Sequence, residues 1–212
     1  DNDNFFNRYT FWIIFNPVNK LVHLTATEIF HQSLDKQRIL AVGEGGGLIA
    51  SLITHVLKFN NRKFDSCFPN KPCVLSKDNV ICIISDSIQL TDYKHHILIL
   101  SSATSKEELT QFEILADATP KGGTLIFPES DSALKQLGLR ERTDVQAIGY
   151  GTCKHETKDG KTILISSTNE KFPIALPGGK NLEYLNAAKE VLKKIGITSG
   201  QFYNALTSYQ PA

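Results

Sequence analysis

The chain has no methionine in 212 residues, where a soluble chain of this length ordinarily carries several. The reading is a trimmed N-terminus, or positions absent from the chain, so motif spacings are taken with one residue of slack. It also lacks an excess of either charge. There are 23 basic and 22 acidic residues for a formal net charge of +1, spread along the chain, and this builds no basic stripe for nucleic acid or an anionic membrane. Long apolar runs are missing too. Residues 11–15 and 97–100 are among the longest, far short of the roughly 20 residues that cross a bilayer as a helix. No basic, apolar and small-residue leader opens the chain, so the expected setting is soluble and cytoplasmic, with no nucleic-acid or membrane partner. The four cysteines, Cys67, Cys73, Cys82 and Cys153, form no C-x-x-C pair and have no histidine at zinc spacing. Free thiols are expected, with a Cys67–Cys73 disulfide as the less favoured alternative.

What is present is enough chain for one large domain. Residues 9–15 are strand-like and closed by Asn16-Pro17, and residues 1–24 as a whole are read as a remnant N-terminal segment. Thr25 followed by Glu28 is a capping box that opens a helix running to about Leu34. Residues 38–42 then read as a strand, 43–47 as a turn, and 48–59 as a helix with Leu48, Leu52, Ile53, Val56 and Leu57 on its apolar face. Residues 80–85 and 96–100 are continuously apolar, as strands covered on both faces are, which predicts a parallel sheet. A helix is expected over 105–118 with Leu109, Phe112, Ile114, Leu115 and Ala118 toward the core, then a strand over 122–130 and a short helix over 131–137. Residues 145–176 change pattern: "VQAIGYGTC", "TILISST" and "KFPIAL" read as strands of an antiparallel appendage around the Asp159-Gly160 turn. Two helices, 181–195 and 199–208, close the chain, with Gly196 as the stop of the first. The class is α/β: a three-layer domain over residues 25–212, a mostly parallel sheet flanked by helices, plus a small antiparallel β subdomain.

The stretch "ILAVGEGGGLIASLITHVLK" has the strand, glycine turn and helix of a phosphate-binding loop. In a working loop, backbone N–H groups and the helix N-terminus attract the phosphate oxygens, a lysine neutralises charge, and a Ser or Thr hydroxyl holds magnesium. Here Gly43, Glu44, Gly45, Gly46 and Gly47 form the turn. Gly47 stands where the lysine is expected, followed by Leu48 and Ile49, and Glu44 adds a carboxylate to the anion cradle. Triphosphate binding should be badly weakened. Two readings stay open: a tight turn that binds nothing, because glycine serves such turns without a ligand, or a loop that admits some other close-approaching group.

Other chemistry-bearing residues point elsewhere. His95 and His96 face opposite sides of a strand and cannot share an ion, so a strand-entry role is favoured. His55 reads as packing or capping. Ser101-Ser102 and Ser166-Ser167 have no His and Asp in a triad arrangement, and no catalytic residue is assigned. Asp86 is a weak metal candidate or a cap.

Taken together, "TATEIFHQSLDKQRILAVGEGGGLIASLITHVLKF", "DYKHHILILSS", "QFEILADATPKGGTLIFPESD" and "LPGGKNLEYLNAAKEVLKKIGITSGQFYNALTSYQPA" resemble the Mur ligases over about residues 25 to 210. The most similar branch attaches L-alanine, or a recycled murein tripeptide, to UDP-N-acetylmuramate. The resemblance implies a central ATP-binding domain of a three-domain ligase, in which ATP and magnesium convert a UDP-muramoyl carboxylate to an acyl phosphate that an amine attacks. It also implies which residues depart from the pattern. Gly47 and Leu48 replace the Lys and the Thr or Ser of the loop, and Ser87 replaces a magnesium-binding Glu beside Asp86. "LSSATSKEEL" lacks a histidine after its strand. Lys180-Asn181 stands for the His-Asn pair that meets adenine, and Tyr184 for a second Asn.

The expectation is a vestigial ATP site at Gly43, Glu44, Gly45, Gly46, Gly47, Lys180 and Asn181, with Asp86 a vestigial metal ligand and no cofactor in use. The implied function is a degenerate Mur-ligase-like protein with a binding or regulatory role linked to cell-wall precursors, its partner a UDP-sugar precursor or another protein. The UDP-binding domain is mostly missing and the chain ends about where the amino-acid-binding domain would begin. Two alternatives stand beside it: an active ATP-dependent UDP-N-acetylmuramate ligase of peptidoglycan synthesis or recycling, and a protein-interaction module that binds no nucleotide.

Overall fold

Every residue of four consecutive sheet neighbours, apart from a single exposed end, is buried, and that burial fixes the architecture. The structure, a computed structural model, describes residues 11–15, 20–68, 72–73, 75–85 and 90–211. β3 (Gln37–Val42), β6 (Ile81–Ser85), β7 (Ile97–Leu100) and β8 (Thr124–Pro128) lie side by side and parallel. Leu40 of β3 sits opposite Ile84 and Leu98. Because side chains alternate across a strand, Ile39 and Ala41 enter one core with Ile83, Ile99 and Ile126, and Leu40 and Val42 enter the other with Ile84, Leu98 and Leu100. Each such isoleucine, leucine or valine side chain contributes about 1.5–3 kcal/mol of burial, so neither face can be left open.

Helices close both faces. On the first lie α2 (Gly46–Phe59), α5 (Lys180–Lys194) and α6 (Ser199–Leu206), through Ile49, Leu52, Leu185, Val191 and Phe202 among others. On the second lie α1 (Ala26–Gln32), α3 (Lys106–Asp117) and α4 (Ser132–Leu139), through Ile29, Phe112, Leu115, Leu134 and Leu137. Side chains cap several of the helix starts. Thr25 and Glu28 form the capping box of α1, Ser105 accepts from the Glu108 N–H, and Asp131 accepts from Ala133 and Leu134. The three-layer α/β expectation holds. Among the described residues no helix is long and apolar enough to cross a membrane.

Several expectations are corrected. β9 (Gln146–Tyr150) is not part of the antiparallel appendage: it pairs parallel with β8 at the edge of the main sheet. Exposed on one side, it carries Gln146 and Gly149 among its apolar residues and so reads like a hairpin strand. The antiparallel sheet is β10 (His155–Lys158), β11 (Lys161–Ile165) and β12 (Lys171–Ile174), turned at Asp159-Gly160 as expected. β4 (Asp65–Cys67) adds a sixth parallel strand beyond β6. A third sheet joins β1 (Phe11–Phe15), β2 (Lys20–Leu24) and β5 (Pro72–Cys73). In α3, Ile114 and Ala118 face solvent while Glu108 and Ala116 are buried. Tyr9 and Asn16-Pro17 lie outside the described residues.

Cys67 and Cys73 are disulfide-bonded, against the free-thiol expectation. They end β4 and β5, which meet as the chain passes from the main sheet to the N-terminal one, and their Cα atoms stand 4.3 Å apart. Cys82 and Cys153 are free and buried, and burial pushes the Cys82 thiol up to about 12. The β4 edge is also fastened by the buried ion pair of Lys36 with Asp65, Nζ to Oδ2 3.2 Å. The other carboxylate oxygen accepts from the Ser76 N–H and the Asn79 amide.

The two histidines at the start of β7 do diverge. His96 accepts the Arg38 backbone N–H at Nδ1, 3.1 Å, while His95 is wholly buried against Thr119, Nε2 to Oγ1 3.0 Å. Burial, then the nearby His96 and Arg38, pushes His95 down to about 3. Unfolded, it titrates at about 6.5. Between these values the unfolded chain binds the extra proton, so the contribution of neutral His95 is complete above about 6.5 and is lost as pH falls toward 3. The expected urea-unfolding free energy falls across that window with a component approaching 1.4 kcal/mol per pH unit. That component should vanish in His95→Asn, and an unchanged slope in the variant would contradict it.

Candidate functional site

The glycine turn leaves the carboxyl end of β3, where ligands of open parallel sheets bind. Gly43 takes φ +93°, and a Cβ there would lie 2.5 Å from Ser101 Oγ and 2.7 Å from the Ser102 carbonyl, so both conformation and space demand glycine. Gly46 has the Ala41 carbonyl 2.9 Å from its would-be Cβ, while Gly47 has only Ser85 Oγ, at 3.9 Å. Helix α2 begins at Gly46, with Gly45 as its cap. The turn is therefore shorter than expected, and Gly46 and Gly47 form the first helical turn.

Three consecutive N–H groups of the loop are committed inside the protein. Glu44 donates to the Ser102 carbonyl at 3.1 Å and Gly46 to the Gly43 carbonyl at 2.9 Å. Gly45 donates to Ser101 Oγ at 2.9 Å, and the Ser101 hydroxyl in turn donates to the Val42 carbonyl at 2.8 Å. A phosphate cradle works by presenting such groups to the ligand. Here three in succession already have protein acceptors.

Helix α5 supplies the other wall. Gly179 caps it at φ +73°, and Lys180 and Asn181 are its first two residues. The Lys180 ammonium donates to Ser102 Oγ at 3.0 Å, whereas Asn181 stays local, its amide on the Pro177 carbonyl at 3.3 Å. One turn on, the Tyr184 hydroxyl meets the same Ser102 Oγ at 3.1 Å. The residue is 7% exposed, and its ring lies against Gly45. The Glu44 side chain is exposed at the mouth. Asp86 lies outside the described residues. Thus the structure brings the glycines, Glu44 and Lys180 together, and leaves Asn181 without a contact to the loop among those it makes.

Sequence reasoning gave Ser101 and Ser102 little weight as nucleophiles and missed what they do. They follow β7, which pairs with β3 so that Leu100 lies opposite Val42; the residues after each strand must therefore meet. Tyr150 was also missed. Its hydroxyl donates to the Leu100 carbonyl at 2.8 Å, and burial, then Tyr184, Glu183 and Asp131, raises its pKa well above the usual phenol value. It is a neutral strut rather than an acid. The remaining candidates are structural: His55 Nε2 meets the Ala205 carbonyl at 2.9 Å, capping α6, and Ser166 ties the turn at Thr168 and Glu170. Among the described residues no group of three or more His, Cys, Asp or Glu side chains is placed to hold a metal.

A magnesium nucleotide does not fit these residues. No ammonium follows Gly46 in the loop, no hydroxyl stands at Leu48, a carboxylate occupies the mouth, and an aromatic ring covers Gly45.

No protein-family model and no curated protein matches the sequence. Solved structures match the fold. The UDP-N-acetylmuramoylalanyl-D-glutamyl-2,6-diaminopimelate–D-alanyl-D-alanyl ligase of Acinetobacter baumannii superposes with TM-score 0.71 at 11% identity, over 93% of this chain and 54% of that one. The UDP-N-acetylmuramate:L-alanyl-gamma-D-glutamyl-meso-diaminopimelate ligase of Neisseria meningitides gives 0.68 at 13%, over 88% and 70%. The MurF ligase of Thermotoga maritima, solved in complex with ADP, gives 0.65 at 13%, over 94% and 56%. The fold is that of the Mur ligases, and the chain spans about half the length of the first and third of these structures.

Removing the Ser101 hydroxyl strands the buried Gly45 N–H, while the Val42 carbonyl keeps the Ser101 backbone N–H at 3.0 Å. Ser101→Ala should lower the unfolding free energy by about 1–3 kcal/mol, read from urea titration. A loss below about 0.5 kcal/mol, the ordinary surface value, would contradict the latching role.

Proposed function

We propose that this chain is a non-catalytic domain of Mur-ligase fold, with a binding or regulatory role in the handling of UDP-linked cell-wall precursors. The observation that carries the reading is the closure of the glycine loop: the N–H groups of Glu44, Gly45 and Gly46 are bonded to Ser102, Ser101 and Gly43 rather than offered to a ligand. Phosphoryl transfer depends on positioned cations and donors around the phosphates; no cation stands in the loop sequence, and three of its successive donors are already taken. Glu44 makes the balance worse, since like charges about 4 Å apart repel by about 1 kcal/mol even in water.

The link to cell-wall precursors rests on the fold. The solved enzymes it matches are named for UDP-N-acetylmuramate and its peptide derivatives. Their reaction is not carried over, because the groups it requires at Gly47, Leu48 and Lys180 are replaced. The partner is a UDP-sugar precursor or another protein of the same handling, in the cytoplasm, and ATP and magnesium take no part. An active ligase is the reading this one displaces.

The test is titration calorimetry of the purified chain with Mg-ATP, together with a phosphate-release assay. No binding heat and no release above background are expected. Magnesium-dependent ATP hydrolysis by the wild type would overturn the reading and restore the ligase.

A further inference from the structure

We infer that Tyr184 is the chain's own occupant of the glycine loop, and that its ring shuts the loop against any phosphate-bearing ligand. The inference rests on the reading of the loop as a closed nucleotide cradle and names what closes it.

Gly45 is a glycine that its own backbone does not require. A residue without a side chain is needed where φ is positive or where another group comes too close. Gly43 meets the first condition, but Gly45 does not: at φ −85°, ψ −5° its backbone suits alanine. At a helix cap, moreover, Ser, Thr, Asp or Asn is at least as favourable. Space supplies the reason. A Cβ on Gly45 would stand 2.4 Å from Tyr184 Cζ, 2.5 Å from Cε1 and 2.7 Å from Cε2. These are the far atoms of a tyrosine that is buried in the core, so the ring cannot swing aside without leaving its core position. Gly45 is the floor of a socket shaped for the phenol.

Ser102 then locks the ring in. Its hydroxyl meets the Tyr184 hydroxyl at 3.1 Å and the Lys180 ammonium at 3.0 Å, while its carbonyl accepts the Glu44 N–H. Lys180 and Tyr184 are four residues apart on α5 and share a face, so the first turn of that helix is held down on the loop as one unit. A phosphate oxygen approaching Gly45 meets ring carbons where it needs donors. The contact is autoinhibitory, and its competitors are di- and triphosphate groups.

A double-mutant cycle tests it. Gly45→Ala should lower the urea midpoint of the wild type clearly, yet have little effect in Tyr184→Leu, which lacks the Cε and Cζ atoms and keeps apolar bulk in the core. Should Tyr184→Leu fail to fold, Tyr184→Met, more adaptable in shape, carries the same comparison. Equal effects of Gly45→Ala in both backgrounds would overturn the socket. Inorganic pyrophosphate, titrated calorimetrically, should bind Tyr184→Leu at least about tenfold tighter than wild type, a difference of about 1.4 kcal/mol. Equal affinity in the folded variant would overturn the blocking role. Turnover of Mg-ATP by the wild type would instead sink the non-catalytic reading, and the cycle would still decide the socket.

Discussion

The pairing of β3 with β7 is the constraint on which the rest of the site depends. Parallel register sets Val42 opposite Leu100, so the chain must leave both strands at the same level of the sheet and within reach of itself. Gly43 turns with positive φ because Ser101 and Ser102 stand there. Those serines then take the N–H groups that the turn exposes. Buried backbone donors must find acceptors, and this chain meets that demand from its neighbouring strand. A ligand phosphate would have met it from outside.

The same choice recurs with charge. Lys180 is a cation beside a glycine loop, but its ammonium rests on a serine hydroxyl that also holds Tyr184. Tyr150, under the same corner of the sheet, stays a neutral donor to the Leu100 carbonyl. A site for phosphoryl transfer keeps preorganised charge free for the ligand. The side chains of Ser101, Ser102, Lys180 and Tyr184 are instead occupied with one another or with the backbone, which favours a rigid fixture over a reactive pocket. The exception is Glu44, exposed and of the wrong sign for an anion.

Much of the fold was legible because its signals are local. Continuous apolar runs announced β6 and β7, and the Thr25–Glu28 pair announced α1 before any packing was known. Edges were not legible in this way. β9 has a single sheet partner and only Tyr150 fully buried among its five residues, a half-exposed pattern that antiparallel hairpins share. β4 and β5, three and two residues long, are too short to show a period. The disulfide depends on where those two edges meet, which spacing alone does not determine. At the site, the missing lysine could be read directly at Gly47. The tyrosine in the loop could not, because Gly45 and Tyr184 are joined only by the docking of α5 on α2. A glycine in a conformation open to alanine was the one available signal, and it exists only in three dimensions.

The most direct measurement is amide hydrogen exchange at Glu44 and Gly45 in the wild-type chain, with and without Mg-ATP. A loop closed by Ser101, Ser102 and Tyr184 predicts slow exchange at both amides, unchanged by nucleotide. Rapid exchange in the free chain, with protection appearing only when Mg-ATP is added, would mean an open cradle waiting for phosphate and would contradict the closed loop.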